Sequence, residues 1–235
     1  MPLYLQVPYE EREQAKKLGA VWDNGRKQWY VANKNNYQKF LRWYPYLDRY
    51  DDIICDWIYI VRTKYKCPKC NKNTSVIAFA IQNHFEVEVT KSGKIKMWDY
   101  HDEFIRLIQR EDEVLFGSDE EQRNHNRFEN YLKKRFGYYY YESSSCYANH
   151  CWECGAVLEF SLLHEIPGGP FYLDTLYWKG VLQPKDFKLF KIFLSKDGLF
   201  TQYYTGDGIY TYDQFILDEN KKIEILDFKI SIMDL

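Results

Sequence analysis

No stretch of this chain is apolar for the roughly 20 residues that a membrane-crossing helix needs. Its opening, Met1-Pro2-Leu3-Tyr4-Leu5-Gln6-Val7-Pro8, carries neither a basic n-region nor an apolar h-region. A soluble, cytoplasmic protein with no membrane partner is expected. An excess of one charge is missing as well: 32 Lys+Arg face 34 Asp+Glu over 235 residues, a formal net charge of −2. That is not the balance of a protein whose whole surface embraces nucleic acid. Catalytic motifs are absent too. There is no HExxH and no nucleophile elbow, and Gly206-Asp207-Gly208 is too short for a phosphate-cradling loop and leads into strand-like sequence. His84, His101, His125 and His164 stand at no spacing that suggests acid–base work. No small-molecule substrate is indicated, no period of 20–50 residues repeats, and no segment is of low complexity.

Cysteine is present in an informative pattern. Four of the six cysteines form two pairs, Cys67-Pro68-Lys69-Cys70 and Cys151-Trp152-Glu153-Cys154, the second followed by Gly155. Each CxxC turn offers two thiolates to one ion, with turn amides stabilising the charge on sulfur. Cys67, Cys70, Cys151 and Cys154 are therefore the expected ligands of one structural zinc, since a closed all-cysteine shell leaves no position for water or substrate. A redox reading would want a single pair at the head of a helix in a βαβ unit, whereas Lys69 lies beside a turn that enters a strand. Cys146 and His150 crowd the second pair, but two complete CxxC pairs already fill a tetrahedral shell. Cys55 reads as an ordinary buried thiol. This usage suits a reducing compartment.

Aromatic residues make up 19% of the chain, enough to fill a core or to offer stacking surfaces. Charge is unevenly spread: residues 1–66 hold 12 Lys+Arg against 8 Asp+Glu, 67–155 hold 12 against 14, and 156–235 hold 8 against 12. The basic N-terminal part interleaves cations with rings, and Arg26, Lys27, Arg42 and Trp43 are the candidate contacts to single-stranded nucleic acid, cations on phosphates and rings under bases. Trp22 and Trp29 are assigned instead to the core of a small unit that needs large side chains to be stable.

The predicted fold is α+β in three parts. Residues 1–47 read as a β-α-β-β-α module: a strand at Leu3–Val7, a helix at Glu10–Leu18 stopped by Gly19, a hairpin turning at Asp23-Asn24-Gly25-Arg26, and a helix capped by Asn33 with Tyr37, Phe40, Leu41 and Tyr44 on one face. Residues 48–166 read as a four-cysteine zinc ribbon, its knuckles split by a helical insertion over about 98–137. Within this part strands are expected at Ile53–Val61, Thr74–Ile81, Phe85–Val89 and Ala156–Leu163, a turn at Lys91–Lys94, and helices from Tyr100 to Phe116 and from Ser118 to Phe136, ended by Gly137. Residues 167–235 read as β-rich, with a hairpin of Phe187–Leu194 and Leu199–Tyr204, turns at Thr205–Gly208 and Asp218–Lys221, and a last strand interrupted near Leu226.

The residues Val7-Pro8-Tyr9-Glu10, Ala15-Lys16-Lys17-Leu18-Gly19-Ala20, Trp22-Asp23 and Lys27-Gln28-Trp29-Tyr30-Val31 resemble the small domain of unknown function 5710, with its pattern VPYxx(K/R)xxAKxLGAxWDxxxKxWYV. The resemblance covers about a fifth of the chain and implies the company of primase-like, relaxase-like and other mobile-element proteins; it names a module, not an activity. The stretch from Cys67-x-x-Cys70 through Cys151-x-x-Cys154-Gly155, Phe160, His164-Glu165 and Gly169-Pro170-Phe171 is similar to zinc-ribbon regions of bacterial proteins that carry the same domain.

Together these features point to a non-enzymatic zinc-binding recognition protein whose partner is single-stranded nucleic acid in a mobile-element or DNA-processing context. A protein–protein adaptor docking through its acidic, Tyr-rich C-terminal half is the alternative. A third reading, a metal-dependent nuclease, rests on Glu224-Ile225-Leu226-Asp227-Phe228-Lys229 with Asp207 and Asp213, acids that any half-exposed strand also shows.

Overall fold

The computed structural model describes residues 2–44, 51–90, 92–100, 104–108, 130–141, 146–173, 181–182, 186–193, 199–202, 214–218, 220 and 222–226. The fold is α+β. Strands β1 (Leu3–Leu5), β2 (Val21–Asp23) and β3 (Gln28–Val31) form an antiparallel sheet in the order β1-β3-β2. A 3-10 turn at Tyr9–Glu11 leads into α1 (Arg12–Lys17). The helix stops where expected: Gly19 takes φ +103, its N–H donates to Lys16 O and the Ala20 N–H to Ala15 O, the double bond that ends a helix on a left-handed residue.

The second helix of this module is 3-10, Lys34–Trp43, with the Asn33 side chain accepting from the Asn35 N–H at its start. At three residues per turn the buried face runs Tyr37, Phe40, Trp43, not the Tyr37/Phe40/Leu41/Tyr44 face of a 3.6-residue period, although Tyr44 is buried beyond the helix end. Its core is continuous with the next layer, since Leu3, Leu5, Val31, Tyr37, Phe40 and Trp43 pack in one cluster with Ile54, Phe85, Val87 and Met97. Those last residues lie in a four-stranded sheet of β4 (Asp51–Cys55), β7 (His84–Val89), β8 (Ile95–Tyr100) and β15 (Leu199–Gln202), ordered β15-β4-β7-β8.

The centre of the molecule is a seven-stranded sheet ordered β13-β16-β9-β6-β5-β14-β17. Its strands are β5 (Trp57–Lys66), β6 (Asn73–Ile81), β9 (Phe104–Ile108), β13 (Val181–Leu182), β14 (Lys188–Phe193), β16 (Gln214–Ile216) and β17 (Glu224–Ile225). Side chains alternate across a strand, so the continuous apolar runs Ile58–Val61 and Val76–Ile81 feed two cores. Ile58, Ile60, Ile77, Phe79 and Ile81 meet Leu132 and Phe136 of α2, described over 130–136. Tyr59, Val61, Val76, Ala78 and Ala80 face the other layer, with Cys67, Cys151 and Leu163.

A last antiparallel sheet, β10 (Tyr138–Tyr141), β11 (Cys146–His150) and β12 (Val157–Leu158), carries the second cysteine pair. Gly137 ends α2 at φ +67, as its sequence position implies. Among the described residues no helix is long and apolar enough to cross a membrane.

Several expected elements take another form. The apolar run from Ile53 breaks at Asp56, which pairs with Lys34, and its halves enter different sheets. The helix expected from Tyr100 is instead strand over Phe104–Ile108. There Ile105 and Leu107 are buried in phase and the segment pairs with both β6 and β16, so the period is 2 rather than 3.6. The insertion between the cysteine pairs is accordingly β-rich in its described part; residues 109–129, with the expected start of the second helix at Ser118, lie outside it. Phe160–His164 forms α3, not the continuation of a strand from Ala156, because Phe160 and His164 stack at 4.1 Å and Leu163 is buried beside them, a helical spacing. The hairpin expected of β14 and β15 does not form: β14 pairs with β5 and β17, and β15 with β4. The turn at Asp218 is present, its carboxylate accepting from the Asn220 N–H, while Thr205–Gly208 and the chain beyond Leu226 lie outside the described residues.

Candidate metal centre and nucleic-acid interface

The two cysteine turns share one backbone design. In the first, at the tip of the β5–β6 hairpin, the Cys67 N–H donates to Lys72 O (2.9 Å) and the Asn71 N–H to Cys67 O (2.8 Å), with Asn71 at φ +64. In the second, between β11 and β12, the Cys151 N–H donates to Ala156 O (2.8 Å) and the Gly155 N–H to Cys151 O (2.9 Å), with Gly155 at φ +66. The residue after each second cysteine must be left-handed, which glycine adopts freely and asparagine tolerates. Crossing links hold the turns together: the Trp152 N–H donates to Thr74 Oγ1 (3.1 Å), and Lys72 pairs with Glu153 (3.3 Å).

The fold thus brings together all four expected cysteines. Cys67 Sγ lies 3.8 Å from Cys154 Sγ and Cys70 Sγ lies 3.6 Å from Cys151 Sγ, and all four sulfurs fall within 4.8 Å of one another. Disulfide sulfurs sit about 2.05 Å apart, so these are not bonded. A tetrahedron with metal–sulfur bonds of about 2.3 Å has edges of about 3.8 Å, and the cluster fits it. Cys67 and Cys151 are buried, Cys70 is half-buried and Cys154 exposed; the shell therefore opens toward solvent on one side.

The thiols divide electrostatically. Burial opposes ionisation of Cys151, but the backbone amides of Cys154 and Glu153 and the neighbouring thiols of Cys70 and Cys154 outweigh it, bringing its pKa down to about 6. The Lys72 amide favours the Cys70 thiolate, yet burial and the other three thiols prevail and push Cys70 up to about 12. One sulfur is thus ready to bind while another must exchange its proton for a cation.

His150 stands apart from this shell. His150 places Nδ1 3.0 Å from Ala148 O and stacks on Tyr139 with ring centres 3.5 Å apart. Cys146 begins β11, opposite Tyr141. Cys55 is buried, and that burial pushes its thiol up to about 12, which makes it unreactive.

The nucleic-acid candidates are dispersed. Trp43 is only 2% exposed and its indole N–H donates to Glu11, which withdraws it as a stacking surface. Arg42 pairs with Glu11 at 2.8 Å and lies over the Trp43 ring. Arg26 and Lys27 sit together in the exposed β2–β3 turn, Lys27 at φ +51. Trp22, expected in the core, is 43% exposed because β2 is the sheet's edge strand; it meets the half-buried Trp29 edge-on at 5.5 Å. Of the nuclease-like set, Asp207, Asp213, Asp227 and Lys229 lie outside the described residues, and Glu224 pairs with Arg135.

Two residues escaped the sequence reading. Asp23 organises the β2–β3 turn, Oδ1 accepting from the Gly25 and Arg26 N–H groups and Oδ2 from the Tyr4 hydroxyl at 2.8 Å. The Tyr4 bond first, then that of Arg26, holds its carboxyl below the usual range. The Asp-x-Gly spacing was the available signal. Asn149 is buried and exchanges two hydrogen bonds with the backbone of Ile77; no local pattern in the sequence marks it.

Residues 3–45 match the family described as Domain of unknown function (DUF5710). Over 42 residues, 18% of this chain, the sequence is 50% identical to a DNA primase TraC of Escherichia coli, where the match covers 3% of that protein. A second DNA primase TraC of Escherichia coli is 46% identical over 43 residues, again 18% of this chain and 4% of the relative. No solved structure matches the chain. What these findings identify is the module built of β1, α1, β2, β3 and the 3-10 helix, a segment similar to a small part of two DNA primases.

Proposed function

We propose that this chain is a non-enzymatic recognition protein, held together at its centre by one zinc ion, that contacts single-stranded nucleic acid in a mobile-element or DNA-processing setting. The observation that carries the metal is the four-sulfur cluster, with edges of 3.6 and 3.8 Å in two matching turns. Borderline-soft zinc suits four thiolates, and a shell closed by them supports a structural ion rather than a reactive one. The DNA setting is supported by the likeness of the N-terminal module to segments of DNA primases. It is supported also by that module's charge, eight lysines and arginines against four acids between residues 2 and 44.

The test is direct. Full-length protein purified without added metal should carry about one equivalent of zinc, one per four-cysteine shell. It should also bind a labelled single-stranded oligonucleotide with an affinity that falls as salt rises. Protein that purifies without zinc and takes up none when it is added refutes the first half, and no binding at low salt refutes the second.

A further inference from the structure

We infer that the nucleic-acid contact lies on the outer face of the N-terminal sheet, where Tyr4 and Tyr30 form a stacking platform for single-stranded DNA and Arg26 and Lys27 take the adjoining phosphate. The inference rests on the reading above and locates it. Across the three strands, Tyr4, Tyr30 and Val21 stand directly opposite one another. Side chains alternate along a strand, so these three share the face opposite that of the buried Leu3, Leu5 and Val31. The Tyr4 and Tyr30 rings are half-buried, 5.6 Å apart, and Val21 is exposed beside them. The Arg26 guanidinium lies over the Tyr4 ring, 4.6 Å from its centre, so a base meets the planar cation there, with the Tyr30 ring tilted at 43° beside it.

Charge decides the occupant. Asp23, the acid nearest the platform, has its oxygens committed to the turn and to Tyr4, so it fixes ring and cation in place. Arg26 and Lys27 then present positive charge at the platform's end, complementary to a phosphate backbone. A base in duplex hides its faces against its neighbours; an unpaired one offers them to a ring. The module that carries the platform is similar to segments of DNA primases, which favours DNA over RNA as the occupant.

The experiment uses the full-length, zinc-loaded protein and fluorescein-labelled (dT)12, the matching duplex and (rU)12, followed by anisotropy at about 50 mM salt. Binding to (dT)12 that exceeds binding to the duplex is expected. Tyr30→Ala should weaken it at least about fivefold. Lys27→Gln, an exposed change that leaves the fold intact, should reduce the log–log salt slope by about 0.7. Trp98→Ser, an exposed change on the four-stranded sheet rather than the N-terminal one, should bind like the parent. If the parent binds and Tyr30→Ala and Lys27→Gln bind equally well, the platform is overturned while the broader function stands. Parent protein that binds no single strand overturns both, and tighter binding of (rU)12 overturns the choice of DNA.

Discussion

Asn149 does with one side chain what a neighbouring strand does with its backbone. Among the described residues, strand β9 pairs with β6 at Phe79–Ile81, and Asn149 takes up the backbone of Ile77: Oδ1 accepts from its N–H (2.7 Å) and Nδ2 donates to its carbonyl (2.8 Å). The bond ties the cysteine-bearing sheet to the central one. Leucine has the same branched outline, a larger volume and neither polar group, so Asn149→Leu strands two buried backbone groups. The expected cost is about 2–6 kcal/mol at 1–3 per unsatisfied group, read as a lower urea midpoint with an unchanged m-value. Gly169 is constrained by space, since a Cβ there would lie 2.6 Å from Leu163 O and 2.9 Å from Leu162 O. Gly169→Ala must push back the end of α3 and should cost on the order of 1–3 kcal/mol, the range for forced overpacking, in the same urea experiment.

At the scale of elements, each cysteine turn is a small machine for aiming amides at sulfur, and its response to pH follows from the two shifted thiols. Cys151, lowered to about 6, is already thiolate at neutral pH, while Cys70, raised to about 12, releases a proton whenever a metal binds. Protons therefore compete with the ion. Zinc affinity should fall as pH falls, by at least about tenfold per unit because Cys70 must lose a proton to bind; competition with a chromogenic chelator at pH 6, 7 and 8 measures it. Cys70→Ser should abolish stoichiometric zinc. The knuckles and the strand after the first were legible because their signals are local: a two-residue gap, a left-handed residue, a run of β-formers. The strand at Phe104–Ile108 and helix α3 were misread because five-residue apolar segments fit either period; the partner of the first, β16, lies far along the chain, and Phe171, which stacks on His164, falls just outside the second segment. Likewise, nothing local in the sequence tells β14 to refuse its hairpin.

For the whole molecule, the four-cysteine cluster joins the central sheet to the three-stranded sheet of β10, β11 and β12, whereas the N-terminal module packs on the sheet of β4, β7, β8 and β15. Removing the ion should loosen one end only. Hydrogen exchange after chelation should accelerate over residues 67–72 and 149–163 and stay unchanged over Leu3–Val31, as expected where local stability varies across a structure. Uniform acceleration would mean that the ion supports the entire fold. The primase-like module was readable in its order of elements because its hairpin and helix stop depend on near neighbours. The burial of Trp43 and exposure of Trp22 were not, because they depend on a helix of three residues per turn and on which strand stands at the edge.

Cys70 and Cys151 are separated by 81 residues of chain, which gives the metal centre a history as well as a place. At a synthesis rate of roughly 5–20 residues per second, the first pair leaves the ribosome several seconds before the second exists. During that interval two thiols sit at the tip of a hairpin, able to hold an ion only weakly. If the cluster holds the proposed ion, its shell can close only after translation has passed residue 154, and nascent chains arrested earlier should exchange their metal freely.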